Sequence, residues 1–268
     1  MQVEKAFKRY QANREILNTI DRLKNMGVTA IYHSADVREM SSIAPILNEI
    51  RQQYGAIKTI IHGAGVLEDR LIVDKTVEQF ERVFATKVGG LRTLLEATKH
   101  DSLKYIVLFS SVSARFGNKG QSDYAVANEV LNKMAQREAL SRSDCRVISI
   151  NWGPWDGGMV SPGLKREFER QGVSLIPIQD GASAMVSEMR AGGNSSAEVV
   201  IGSGFGLPQG ATPTNESLSV TAKREINIEQ FPILRSHILN GKAVVPFALM
   251  TEWLGHSALH GNPGLFLH

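Results

Sequence analysis

Tyr124, Ser111, Asn128 and Lys87 are the side chains of this 268-residue chain whose types and spacing point to proton chemistry on a carbonyl. A tyrosine phenol, with an ordinary pKa of about 10, acts as a general acid near neutral pH more readily when a lysine ammonium beside it lowers that value. A serine hydroxyl can hold the carbonyl oxygen while the proton moves. Ser111 precedes Tyr124 by 13 residues, and Asn128 follows it by four, about one helical turn. Singly, each has a plain structural use: Tyr124 as an aromatic at a helix start, Lys87 as a surface charge, Ser111 as a strand cap. Jointly, at strand ends and helix starts, they point to one site.

Alternating helix and strand patterns must position these residues. Ile16, Leu17, Ile20, Leu23 and Met26 recur every three or four positions, which predicts a helix over 11–26 that stops at Gly27. A short β-branched run at 28–32 predicts a strand leading to Asp36. A helix over 41–54 follows, then a strand at 57–61 that runs into His62, Gly63, Ala64 and Gly65. Thr76 and Gln79 have the spacing of a capping box and open a helix over 76–98 that carries Lys87. Strands at 105–109, 146–150 and 197–201 are separated by helices over 124–139 and 181–189. This alternation predicts a parallel α/β sheet built from crossover units, and apolar runs such as 105–109 suit a sheet covered on both faces. Ligands of such sheets lie at the carboxyl ends of the strands. The residues there are Asp36 and Val37, then His62 to Gly65, then Ser110 to Ser113, then Asn151 to Pro154. The glycines admit close approach of backbone to a ligand, and Asp36 can accept hydrogen bonds from an adenine amine. The other reading of Gly63-Ala64-Gly65 is a tight strand-to-loop turn.

Composition narrows the classes. With 43% hydrophobic and 21% charged residues, the chain is neither disordered, collagen-like nor a coiled coil. No apolar run approaches the roughly 18 residues of a membrane span, and the first residues lack the apolar stretch of a secretory signal. One cysteine, Cys145, excludes an internal disulfide and a multi-cysteine metal cage, so no metal is expected and a reducing cytoplasm is the default location. The net charge of +3 is too small to imply nucleic acid. All of it falls in the first 26 residues, as a solvated helix face or a weak attraction for an anionic cofactor or carrier protein. Residues 203–224 begin with a run rich in Gly, Pro, Ser and Thr and read as a linker between a 1–202 domain and an apolar 225–268 segment too short to fold alone.

The stretch 107–128 (VLFSSVSARFGNKGQSDYAVAN) resembles the active-site segment of ketoreductase domains of polyketide synthases, within the short-chain dehydrogenase/reductase superfamily. Residues 61–69 (IHGAGVLED), 84–90 (FATKVGG) and 150–155 (INWGPW) are similar to that family's other blocks, and the likeness covers roughly residues 12–202. It is strongest toward the ketoreductases of polyunsaturated fatty acid synthases. Where most of the superfamily has Tyr-x-x-x-Lys, this chain has Tyr124 and Asn128 with the lysine displaced to Lys87, an exchange typical of synthase ketoreductases. The resemblance implies a Rossmann-like, doubly wound parallel sheet and NADPH-dependent reduction of a β-ketoacyl thioester carried on an acyl carrier protein. It implies that Tyr124 protonates the β-keto oxygen, Ser111 hydrogen-bonds it, Lys87 lowers the tyrosine pKa and Asn128 supports a relay water. It further implies that Asp36 and Val37 border the adenine, that Gly63, Ala64 and Gly65 border the ribose and pyrophosphate, and that Pro154, Met159 and Val160 cover the nicotinamide. The helices after Met159 would form a mobile lid. Trp152 and Trp155 read equally as lid packing or as substrate contacts. Leu67-Glu68-Asp69 resembles the Leu-Asp-Asp fingerprint of ketoreductases that yield the 3R alcohol, with glutamate for aspartate, and Phe116 stands where the opposite class has tryptophan.

Two expectations concern the ends. No Gly-x-Gly-x-x-Gly occurs, so the βαβ unit that grips a pyrophosphate is expected to lie outside this sequence, and the chain alone is expected to bind NADPH poorly. At the other end, His237, Gly241 and Pro246 form HxxxGxxxxP, which resembles the first active-site motif of hot-dog dehydratases. That resemblance implies a partial α+β segment in which His237 removes an α-proton; the other reading is a structural loop histidine. Two alternatives to the reductase therefore stand: dehydration through His237, and a scaffold that holds neighbouring synthase domains without catalysis.

Overall fold

The computed structural model describes residues 2–157, 162–170, 172–192, 195–203, 226–239, 241–246, 249–250 and 253. The chain divides into two compact units, residues 1–209 and 210–268. Among the described residues no helix is long and apolar enough to cross a membrane.

In the first unit, helices α1 (Gln2–Asn25) and α2 (Met40–Tyr54) precede strand β1 (Thr59–His62). Helix α3 (Val77–Phe84), a π turn (Ala85–Gly89) and α4 (Gly90–Ala97) lead to β2 (Tyr105–Ser111). Next come α5 (Ser113–Phe116), α6 (Ser122–Ser141), β3 (Arg146–Trp152), α7 (Pro162–Arg170), α8 (Ile178–Arg190) and β4 (Glu198–Ile201). The four strands are parallel in the order β1-β2-β3-β4, with Ile61 opposite Val107 and Ser111 opposite Trp152. Successive side chains of a strand point to opposite faces, and the core divides accordingly. Ile106 and Leu108 pack with Leu91 and Leu95 of α4 and Leu131 and Ala135 of α6. Val107, Ile148 and Ile150 pack with Met185 and Met189 of α8. The inner strands β2 and β3 are therefore buried almost throughout, whereas edge strand β1 alternates exposed and buried.

Helix α1 begins at Gln2 rather than at residue 11, and two further elements differ more from their sequence patterns. Residues 28–32 form no strand: Val28, Ile31 and Tyr32 are 48%, 53% and 55% exposed. A strand exists only through pairing, and among the described residues none pairs with this run. The helix expected over 76–98 begins as its capping box requires, with Gln79 N–H donating to Thr76 Oγ1 at 3.3 Å and Thr76 N–H to Gln79 Oε1 at 3.1 Å. It is then interrupted by the π turn that contains Lys87. Such one-turn insertions are rare and concentrate at functional sites.

In the second unit, a 3-10 turn (Pro232–Arg235) is followed by an antiparallel hairpin of β5 (Ile238–Leu239) and β6 (Lys242–Ala243). Gly241, at φ 75°, makes its turn, and the Phe231 ring meets that of Trp253 at 5.3 Å. A hot-dog body is not among the described residues here, and the linker residues 204–224 lie outside them.

Candidate active site

The carboxyl ends of β1, β2 and β3 open onto a cavity of about 900 Å³ whose walls include Gly63, Gly65, Lys87, Ser111, Tyr124 and Pro154. Lys87 reaches it from the π turn. Its ammonium donates to the Phe109 carbonyl at 2.9 Å and lies 5.3 Å from the centre of the Tyr124 ring. Burial pushes the Lys87 ammonium down to about 8, because removal from water disfavours the charged form. A Cβ on Gly65 would lie 3.1 Å from Lys87 Cε, so the glycine leaves the lysine its room. The π turn is tied from behind by His62, whose Nε2 lies 2.8 Å from the Lys87 carbonyl oxygen. Burial holds the His62 imidazole neutral, with its pKa lowered to about 4, so Nε2–H donates in that bond. Gly90 makes the close packing there possible: a Cβ would come 2.7 Å from Val37 Cγ1 and 3.2 Å from His62 Cε1.

Ser111 ends β2. Its Oγ accepts hydrogen bonds from the Ser113 amide at 3.2 Å and the Ser113 hydroxyl at 3.0 Å. With its lone pairs so occupied, the Ser111 proton is left to donate into the cavity. Tyr124 lies in the first turn of α6, where burial pushes its phenol above the usual value, the nearby Asn128 side chain opposes that, and the Asp69 charge adds to it. The net displacement is upward, opposite to the lowering expected from Lys87. Desolvation dominates, and the lysine ammonium is engaged by the Phe109 carbonyl. Asn128 is buried behind Tyr124, with Nδ2 donating to the Tyr124 carbonyl at 2.8 Å. Ser110 Oγ bridges the Asn128 carbonyl at 3.2 Å and Asn151 Oδ1 at 2.9 Å, which fixes α6 to β3. Asn128 Oδ1 is buried with no hydrogen-bond partner.

Other expected site residues fall elsewhere. Both oxygens of Asp36 are taken by the Arg38 guanidinium, at 2.6–3.1 Å, which holds the carboxyl down at about 2. Asp36 is therefore committed to an arginine two residues on, and neither it nor Val37 nor Ala64 is on the cavity wall. Trp152 and Trp155 both line the cavity, with ring centres 4.6 Å apart. Met159 and Val160 lie outside the described residues. His237 belongs to the second unit, where it is exposed and its carbonyl accepts from Val244 N–H at 3.0 Å. Sequence reasoning missed the parts of His62 and Ser113. Their signals were position alone: His62 directly precedes Gly63, and Ser113 stands two residues beyond Ser111.

The cavity suits the nicotinamide end of a dinucleotide. Gly63 and Gly65 offer backbone without Cβ on one wall, and Pro154 with the two tryptophans offers an apolar surface on another. A glycine-rich turn opening a helix, the usual pyrophosphate grip, is not found among the described residues.

A parallel α/β sheet with tyrosine, serine and lysine gathered at its carboxyl edge defines a Rossmann-like oxidoreductase domain of the short-chain dehydrogenase/reductase type. Within that class the chain belongs to the KR domain family, whose model matches residues 6–157. It is 38% identical over 257 residues to a polyunsaturated fatty acid synthase polypeptide of Thraustochytrium sp., covering 95% of this chain and 9% of that protein. It is 33% identical to polyketide synthase PksL of Bacillus subtilis, covering 62% of this chain and 4% of that one. Among solved structures, a ketoreductase domain from the bacillaene assembly line is 34% identical with a TM-score of 0.61, covering 69% of this chain and 45% of that one. An N-terminal ketoreductase from the macrolactin assembly line gives 32% and 0.63, covering 70% and 37%. The chain thus spans less than a tenth of the synthases and under half of the solved ketoreductase chains that it matches.

Proposed function

We propose that this chain reduces the β-carbonyl of an acyl thioester to the alcohol, with NADPH as reductant, on a substrate tethered to an acyl carrier protein within a multidomain synthase. The observation that carries this reading is the convergence of Lys87, Ser111 and Tyr124 on one cavity at the sheet's carboxyl edge. A scaffold needs none of that arrangement. Ser111 donates its free proton to the substrate carbonyl oxygen and polarises it. Tyr124 delivers its phenolic proton to the same oxygen as charge develops there. The Lys87 ammonium, 5.3 Å from the centre of the Tyr124 ring, offsets part of the cost that burial sets on the phenolate left behind. The buried Oδ1 of Asn128 is an acceptor for a water that returns the proton. A nicotinamide held against Gly63, Gly65 and Pro154 would supply the hydride for the carbonyl carbon, which together with the one proton from Tyr124 balances ketone to alcohol.

The finer features rest on the resemblance of Leu67-Glu68-Asp69 to the 3R fingerprint, on the kinship with fatty acid and polyketide synthases, and on the single cysteine. They are 3R product, carrier-bound substrate and cytoplasmic location. The test supplies the full-length polypeptide with a β-ketoacyl thioester and either NADPH or NADH, and resolves the product on a chiral column. Oxidation of NADPH with formation of the 3R hydroxyacyl thioester is expected. Absence of hydroxyacyl product with both cofactors would refute the reductase, and a 3S product would refute the stereochemical assignment.

A further inference from the structure

We propose that Lys75 and Asp123 form a positioning clamp that fixes one wall of the substrate cavity against the Tyr124 helix and thereby sets which face of the ketone is reduced. The inference rests on the reductase reading above. The Lys75 ammonium lies 2.7 Å from Asp123 Oδ2, with side-chain exposures of 4% and 1%. The same ammonium donates to the Glu68 carbonyl at 2.7 Å, and Asp123 Oδ1 accepts from the Tyr124 amide at 2.9 Å. An unbroken chain of polar contacts therefore runs from the 67–70 loop through Lys75 and Asp123 to the backbone of Tyr124. Two outer contacts close the same seam: Arg70 N–H donates to the Gly120 carbonyl at 2.9 Å, and Gln121 Nε2 donates to Asp69 Oδ2 at 2.9 Å. Leu67, Asp69 and Gln121 line the cavity together with Tyr124.

A buried ion pair contributes little net stability compared with apolar residues of the same size, so its place here is explained better by geometry than by folding energy. With the Tyr124 hydroxyl carried by α6 and the facing wall pinned to the same helix, a ketone has one way to present its oxygen. If the wall moves, the acyl chain can turn over and offer the opposite face. Misplacement of a reacting group by about 1 Å is enough to change rates by about a hundredfold.

The test compares wild type with Lys75→Met/Asp123→Leu, which removes both charges together, and with the near-isosteric Asp123→Asn, all in the full-length polypeptide. The expected result for the double variant is a KM for the β-ketoacyl thioester raised about tenfold. The minor alcohol enantiomer is expected to rise from a trace to at least about a tenth of the product, and Asp123→Asn to shift both in the same direction. Amide hydrogen exchange gives a readout that needs no turnover: the Arg70 amide, bonded across the seam to Gly120, is expected to exchange about a hundredfold faster in the double variant. A folded variant with wild-type Arg70 protection overturns the clamp even if no protein shows reductase activity. Active variants with unchanged KM and enantiomer ratio overturn it while leaving the reductase reading intact.

Discussion

Replacement of Lys87 by methionine should make the protein more stable and much less active, and the balance between the two depends on pH. Lys87 is charged at neutral pH although burial has lowered its pKa from 10.5 to about 8. At about 1.4 kcal/mol for each tenfold change, holding that ammonium in the folded interior costs about 3 kcal/mol at pH 7. Methionine removes the penalty but leaves the Phe109 carbonyl without its 2.9 Å donor, a loss of about 1–2 kcal/mol. The net expectation is a gain of about 1–2 kcal/mol at pH 7. A folded-state pKa below the unfolded value destabilises wherever the group is charged, so wild-type stability rises relative to the variant as pH climbs from about 8 to 10.5. The variant's advantage should therefore shrink over that window and reverse between about pH 9 and 10. Urea denaturation of both proteins at pH 7 and pH 10, compared as a difference, cancels the other groups that titrate there. A variant less stable at pH 7, or a difference that does not change with pH, would refute the reasoning. Reductase activity of the same variant should fall by about a hundredfold or more, as expected when a group that supports general acid catalysis is lost.

Further expectations follow from packing and hydrogen bonding. Gly181→Ala would drive a Cβ into the Trp155 ring, lowering stability by about 1–3 kcal/mol in thermal melts and raising KM, since Trp155 lines the cavity. Ser113→Ala removes a donor from Ser111 Oγ and should lower kcat/KM about fivefold, with the melting temperature nearly unchanged. Asp101→Ala should reduce stability by about 2 kcal/mol by denaturant titration, because it strips the Arg51 guanidinium of its buried partner and frees the Ile57 amide. Because Arg51 holds the Asp101 carboxyl below its ordinary range, that contribution is present at neutral pH. It should vanish in wild type as acid protonates the group.

The legible parts of the fold were those whose cause is local. The apolar run of β2 and the apolar start of β3 suit strands covered on both faces, and Thr76 with Gln79 announces a helix start from two residues three apart. The 28–32 run has the same strand character, yet a strand is made by its neighbour, which side-chain type cannot reveal. The π turn was hidden for a similar reason: it is held by His62, 25 residues away from the Lys87 carbonyl it meets. At the site, strand ends marked Ser111 and the helix start marked Tyr124, but not the direction of the tyrosine's pKa displacement. That depends on burial, a property of the whole fold. The capture of Asp36 by Arg38 is the opposite case, a contact between residues two apart that the sequence offered openly. The Lys75–Asp123 pair joins positions with no shared periodicity and emerges only when the loop and the helix are seen together.

The most direct test of the whole account is NADPH consumption by the full-length polypeptide with a β-ketoacyl thioester, wild type against Tyr124→Phe. The substitution removes one oxygen from a half-buried ring and leaves the packing of α6 in place. If Tyr124 is the proton donor, turnover should fall by about a hundredfold to ten-thousandfold with substrate affinity little changed. Equal NADPH consumption by the two proteins would contradict the account.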